Sequence, residues 1–192
     1  MTDPEILRKL ANLIALFIPI VYYFVPTGIG KYIMLLIALV FLIIDLARLK
    51  LSLFKDIFVL VFGSSLRKHE VWSVTGATYL VMGALISVLL FPKMIAIAAL
   101  LYVIVGDTFA AVIGLKFGTL KLFRKSLVGS LSFLVVSVVI AHLLSILPPD
   151  PLPFKVGFVG AAVAALIEAL PLNLDDNFAV PIVAGAIMTF VA

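Results

Sequence analysis

The chain is broken into near-continuous apolar stretches, several of which approach the roughly 20 residues that a helix needs to cross a hydrocarbon core. Between charged, proline or glycine punctuation they fall at Leu10–Val25, Lys31–Ala47, Ser73–Phe91, Met94–Leu115, Leu127–Leu147, Phe154–Leu170 and Phe178–Ala192. Backbone groups in lipid must be satisfied internally, and the alternating pattern of a membrane barrel is absent. The expected fold is therefore all-α: a single polytopic bundle over 1–192 with about seven transmembrane helices. With 65% hydrophobic and 12% charged residues among 192, the composition departs strongly from that of a water-soluble domain. Leu51–Leu66 is different, because its apolar core Ile57–Phe62 is too short to cross and Lys55 and Asp56 interrupt it. It reads as one interfacial or re-entrant helix. The first stretch follows Arg8-Lys9 and ends in Tyr22-Tyr23 without a small-residue cleavage site, so it reads as a retained helix and not as a signal peptide.

Net charge is +4, but in a membrane chain excess Lys and Arg orient loops toward the cytoplasm, and no nucleic-acid partner is expected. With a cytoplasmic N-terminus and seven alternating spans, eleven of the 14 Lys and Arg lie inside, leaving Lys31, Lys93 and Lys155 outside. The bias holds only if Leu51–Leu66 does not cross. The same topology gathers Asp45, Glu70, Glu168, Asp175 and Asp176 at the inner side and puts Asp150 outside. A charged cytoplasmic face of both signs suits a soluble, phosphate-bearing ligand. There is no cysteine, which excludes disulfides and thiolate metal sites.

The sharpest local feature runs from Gly106-Asp107 to Gly118. Gly106, Ala110, Gly114 and Gly118 recur every four residues and make a small-residue stripe that another helix can approach closely. Asp107 precedes Lys116 by nine residues, about 13 Å of helix, and so lies below the inner interface. A carboxylate at that depth costs about 2.5–3.5 kcal/mol on insertion scales and by default marks a functional site; the alternative is a structural partner for a buried cation. Lys125-Ser126 opens the span at Leu127-Val128-Gly129-Ser130. Cation, hydroxyl and free helix N–H groups together bind phosphate, although the same loop serves equally as a basic anchor. Arg124 stands where a Walker A loop has glycine, so it is no such loop.

Arg67-Lys68-His69-Glu70 reads either as a solvated loop or as part of a site, since the topology turns it to the side of Asp107 and Lys125. Asp175-Asp176-Asn177 precedes the last span, with Pro181 in its first turns. One of the three is expected to cap the helix, and two adjacent carboxylates exceed what capping needs. With Glu168, on the helical face of Gly160 and Ala164, they offer the hard oxygens that Mg²⁺ takes beside a nucleotide's phosphates. His142 reads as a packed histidine, and Trp72, Tyr22 and Tyr23 as interfacial aromatics. No Ser-His-Asp, zinc-hydrolase or Rossmann signature occurs.

In order and spacing these features resemble the CTP-dependent polyprenol kinase family, which includes dolichol kinases, phytol kinases and the CTP-dependent diacylglycerol kinase. The resemblance rests on Arg8-Lys9, Arg67-Lys68-His69-Glu70 with Thr75-Gly76-Ala77-Thr78, Gly106-Asp107 to Gly118, Lys125-Ser126 with Gly129-Ser130, and Glu168 with Asp175-Asp176-Asn177 and Pro181. It implies transfer of the γ-phosphoryl group of CTP to the hydroxyl of a lipid alcohol at the cytoplasmic face, with Mg²⁺ or another divalent cation. Asp107 and Lys125 are then the expected catalytic residues. Arg67, Lys68, Glu70, Lys125 and Ser126 are the expected nucleotide contacts, and Asp107, Glu168, Asp175 and Asp176 the expected metal ligands. The small-residue stripe is the expected lateral entry for the lipid. Two positions depart from the family: Asn12 stands where a histidine is common, and Val128 where an acid commonly follows Lys-Ser/Thr. Two other readings share the inventory, a lipid cytidylyltransferase that releases pyrophosphate and a small ion-coupled transporter using Asp107 and Glu168. The acceptor, whether phytol, geranylgeraniol, dolichol or diacylglycerol, is open, because added methylenes discriminate weakly.

Overall fold

A computed structural model describes residues 12–63, 66–67, 69–123 and 125–192. The expected Arg8-Lys9 pair, Lys68 and Arg124 lie outside the described residues. A 3₁₀ turn at Leu13–Leu16 runs into α1 (Phe17–Phe24), and α2 (Thr27–Lys50) follows after Pro26. The short α3 (Ser52–Phe62) leads to an irregular stretch and then to α4 (Gly76–Leu90). Pro92 starts α5, continuous over Lys93–Phe117, with a π turn at Tyr102–Gly106. Two residue pairs, β1 (Lys121–Leu122) and β2 (Lys125–Ser126), form an antiparallel hairpin before α6 (Leu127–Ser145), α7 (Phe154–Ala169) and α8 (Asp176–Val191).

Over the described residues each of the seven apolar stretches is helical for most of its length, and among them three helices, Thr27–Lys50, Lys93–Phe117 and Leu127–Ser145, are long and apolar enough to cross a membrane. The hairpin is absent from the all-α expectation: two residues per strand carry too little periodicity to read. At its tip Phe123 adopts φ 56°, a left-handed conformation costly for a bulky residue, which lets so short a loop reverse.

α5 is the centre of the bundle. Ile95 to Leu100 are buried without a break, so this half of the helix is packed on every side by α1, α4, α6, α7 and α8. Around it α6 packs on α7, α7 on α8, α8 on α4, and α4 on α2. α3 lies against α2. The Leu147–Pro153 turn accepts a hydrogen bond from the Tyr23 hydroxyl at the Pro148 carbonyl, and Lys93 donates to the Tyr23 and Val25 carbonyls at 2.8 and 2.9 Å, closing the end of α1.

The other end collects the charges. Arg48, in the last turn of α2, donates to the carbonyls of Glu70 and Ser73 at 2.8 and 2.6 Å, in the stretch that leads into α4. α2 therefore ends where α4 begins, so α3 between them makes no net crossing of the bundle. The same end holds the C-terminal turns of α5 and α7 and the N-termini of α6 and α8, as the contacts below show.

Candidate functional site

Three pieces of local structure build the charged end. Asp45 and Arg48 form a buried pair on α2, 2% and 0% exposed and 2.6 Å apart. The second carboxylate oxygen of Asp45 accepts from the Thr75 amide and hydroxyl at 2.8 and 2.9 Å, and Thr75 in turn caps α4 by accepting from the Thr78 amide. Glu70 is buried and spends both oxygens on backbone, accepting from Arg67 N–H at 2.7 Å and Gly76 N–H at 2.9 Å. Arg48, Asp45 and Glu70 thus shape the segment that carries Arg67. Arg48 is one of the eleven inner basic residues, and its i,i+3 spacing from Asp45 was the available signal of this pair. Arg48→Met leaves Asp45 buried without its cation and is expected to cost about 3 kcal/mol, measured as loss of thermal stability in detergent.

The second piece is the close approach of α5 and α6. A Cβ on Gly129 would stand 2.8 Å from the Ala110 carbonyl, and one on Gly114 would stand 2.6 Å from the Ser126 hydroxyl. The small-residue stripe is therefore where α6 docks. Ser126 and Gly129 stand against Gly114 and Gly118, and the stripe residues Ala110, Gly114 and Gly118 also line the ionic cavity described below. Ser126 is the N-cap of α6, accepting from Gly129 N–H at 3.0 Å.

Docking α6 there sets Lys125 between two carboxylates from other helices. Its ammonium donates to Glu168 of α7 at 2.8 Å and to Asp176 of α8 at 2.6 Å, and the second oxygen of Glu168 accepts from the Ser130 hydroxyl at 3.2 Å. Glu168 is 1% exposed. Burial works against the charge on Lys125, but the surrounding Glu168, Asp107 and Asp176 outweigh it and raise its pKa, so the ammonium persists at any physiological pH. Asp107 follows directly on the π turn, is buried, and lies with Lys125, Ser126, Ser130, Glu168 and Asp176 around a cavity of about 410 Å³. π turns recur at functional sites.

The adjacent acids divide their work. Asp175 caps α8, accepting from Asn177 N–H at 3.0 Å, and its other oxygen meets Arg67 at 3.0 Å. Asp176 lines the 410 Å³ cavity and also a smaller one of about 180 Å³ beside it, which Asp175 lines with Arg67 and Lys125. Arg67 lines both. Among the expected nucleotide contacts, Arg67, Lys125 and Ser126 thus meet at one cavity, whereas Glu70 faces the far side of Arg67. Val128 does not line the cavity, and Glu168 and Asp176 hold Lys125. His142 is exposed, its ring edge-on to Phe154 at 6.1 Å.

Among the described residues, no three His, Asp or Glu side chains form a ready metal cage. The donor set nonetheless suits a divalent cation that arrives with phosphates. Asp107, Glu168 and Asp176 supply hard oxygens at one cavity, two of them already bridged by a cation, and Mg²⁺ bound with a nucleotide needs only one or two carboxylates.

No protein-family model and no solved structure matches the chain. Curated proteins do. It is 28% identical over 176 residues to the CTP-dependent diacylglycerol kinase 1 of Saccharomyces cerevisiae, covering 80% of this chain and 61% of that protein. It is 33% identical over 131 residues to a probable chloroplastic phytol kinase 1 of Glycine max, covering 60% and 43%. The chain is a homologue of CTP-dependent lipid kinases. It spans less than two thirds of the length of both kinases, while an uncharacterised protein of Rickettsia prowazekii matches at 25% over 94% of this chain and 91% of its own. Apolar helices and kinase homologues that act on lipids together make this a membrane protein.

Proposed function

We propose that this protein transfers the γ-phosphoryl group of CTP to the hydroxyl of a membrane lipid alcohol. The observation that carries the reading is the Lys125 ammonium held between Glu168 and Asp176 at the mouth of α6, beside buried Asp107, in a chain whose homologues are CTP-dependent kinases. Phosphoryl transfer asks mainly for positioning and neutralisation of charge, and this cavity supplies both.

Lys125, Arg67 and Ser126 bind the phosphates. Charge-assisted contacts from the ammonium and guanidinium offset the negative charge. Asp107, Glu168 and Asp176 would offer one or two carboxylates to a divalent cation arriving with the nucleotide, which would neutralise charge on the phosphoryl oxygens. Asp107 accepts the alcohol proton as the alcohol oxygen bonds to the γ-phosphorus. The bond from that phosphorus to the bridging β,γ-oxygen breaks, and CDP leaves. Asp175 acts at one remove, as the counterion that fixes Arg67.

The seven apolar helices cross the membrane, α3 enters it without a net crossing, and the N-terminus and the charged end face the cytoplasm. The bias of eleven basic residues against three supports that orientation. The test is transfer of label from γ-³²P-CTP, against ATP, to phytol, geranylgeraniol, dolichol and diacylglycerol by purified protein with Mg²⁺. Labelled lipid phosphate and CDP are expected. Pyrophosphate release with cytidine on the lipid would instead identify a cytidylyltransferase, and flux across sealed vesicles without transfer would identify a transporter.

A further inference from the structure

A second large cavity lies outside the ionic one. It is a groove of about 570 Å³ whose walls are Phe41 and Ile44 of α2 and Phe54, Ile57, Phe58 and Val61 of α3. One end is polar, formed by Arg67, Glu70, Thr75 and Asn177. The geometry points to this groove as the seat of the acceptor's hydrocarbon tail, with the hydroxyl at Arg67; this rests on the kinase reading above.

Three observations select the occupant. The groove is apolar along its length and hydrogen-bonding at one end, which is the chemistry of a long-chain alcohol and not of a phospholipid headgroup or a peptide. Its polar end adjoins the ionic cavity at Arg67, which lines both. Its wall is also short. At 1.5 Å per residue the 11-residue α3 extends about 16 Å, roughly half a hydrocarbon core, so lipid reaches the flank of α2 past its end. Leu53 and Leu60 on α3 are exposed, as a helix bathed in lipid requires.

A competing apolar cavity of about 150 Å³ around Tyr22, Gly30 and Met34 shares no lining residue with the ionic cavity, so a tail there leaves its hydroxyl with no route to Asp107.

The test places p-benzoylphenylalanine at Val61 of the full chain in vesicles containing an alkyne-tagged prenyl alcohol or tagged diacylglycerol. Light-driven capture of one tagged alcohol, abolished by excess of the untagged form, is expected, and the arm that is captured names the tail. Capture of bulk phospholipid without competition, of a peptide from the chain's own N-terminus or a second copy, or of nothing would overturn the assignment. In parallel, Ile44→Trp fills the groove and is expected to raise KM for the alcohol about tenfold, the size of an overpacking defect, while KM for CTP stays within about twofold. Equal effects on both constants would count against the groove. Capture of an alcohol by a protein that phosphorylates none would sink the kinase reading while leaving the groove its ligand.

Discussion

Asp107→Asn is expected to slow phosphoryl transfer from CTP by about 10²–10⁴-fold, the range for loss of a positioned proton acceptor. The exchange keeps size and burial and removes only the charge and the basicity. Asp107 sits on α5, whose packing is otherwise apolar, so the variant should fold, and retained binding of CTP by Lys125 and Arg67 should accompany the lost rate. Single-turnover measurement separates the two, since binding and chemistry then appear as different phases. Wild-type turnover in a folded Asn variant would remove Asp107 from the chemistry and leave it a structural counterion of Lys125.

Lys125→Met is expected to do two things at once. It strips the cation from Glu168, which is 1% exposed, and from Asp176, so folding stability should fall by about 3 kcal/mol, as when one member of a buried ion pair is deleted. It also removes the ammonium that meets the phosphates, lowering turnover on the order of 10²–10³-fold. The double variant Lys125→Met with Glu168→Gln separates the effects. Removing the orphaned charge should restore most of the stability while activity stays lost. A single variant with unchanged melting and unchanged CTP affinity would show that the ion pair is ornamental and that the phosphates bind elsewhere.

Much of this architecture is legible in the sequence because lipid imposes a simple rule. A helix bathed in hydrocarbon announces itself by its length of apolar residues, and Pro26, Pro92 and Pro153 each stand immediately before a helix start. Ser126 and Asp175 are caps, as their residue types and positions suggest. The parity of the spans brings Asp107, Lys125, Glu168 and Asp176 toward one side, Glu168 and Asp176 at helix ends, Lys125 in the hairpin before α6 and Asp107 in the inner half of α5. What pattern could not divide was Asp175 from Asp176: adjacent residues point about 100° apart on a helix, and only the positions of Arg67 and Lys125 decide which carboxylate faces which. Nor could it tell a stripe that receives a helix from one that receives a lipid, because small residues serve both. The groove between α2 and α3 was invisible for a related reason. Ile44, Ile57 and Val61 are apolar whether they face a substrate or the bilayer, and only the concavity distinguishes them.

The π turn in α5 has an effect of its own. One surplus residue in a helical turn is worth about 100° of rotation, so α5 is two helices in series that are out of phase. The half that begins at Lys93 keeps the register of the core. The half that begins at Asp107 keeps another, in which small residues meet α6 and the carboxylate meets the cavity. Gain or loss of one residue between Tyr102 and Gly106 would swing Asp107 off the ionic cavity and Gly114 off Ser126 together, while Ile95 to Leu100 stayed where they are. The reactive face of this protein is therefore set by a residue count at a single turn, an adjustment that substitution, which preserves length, cannot reach.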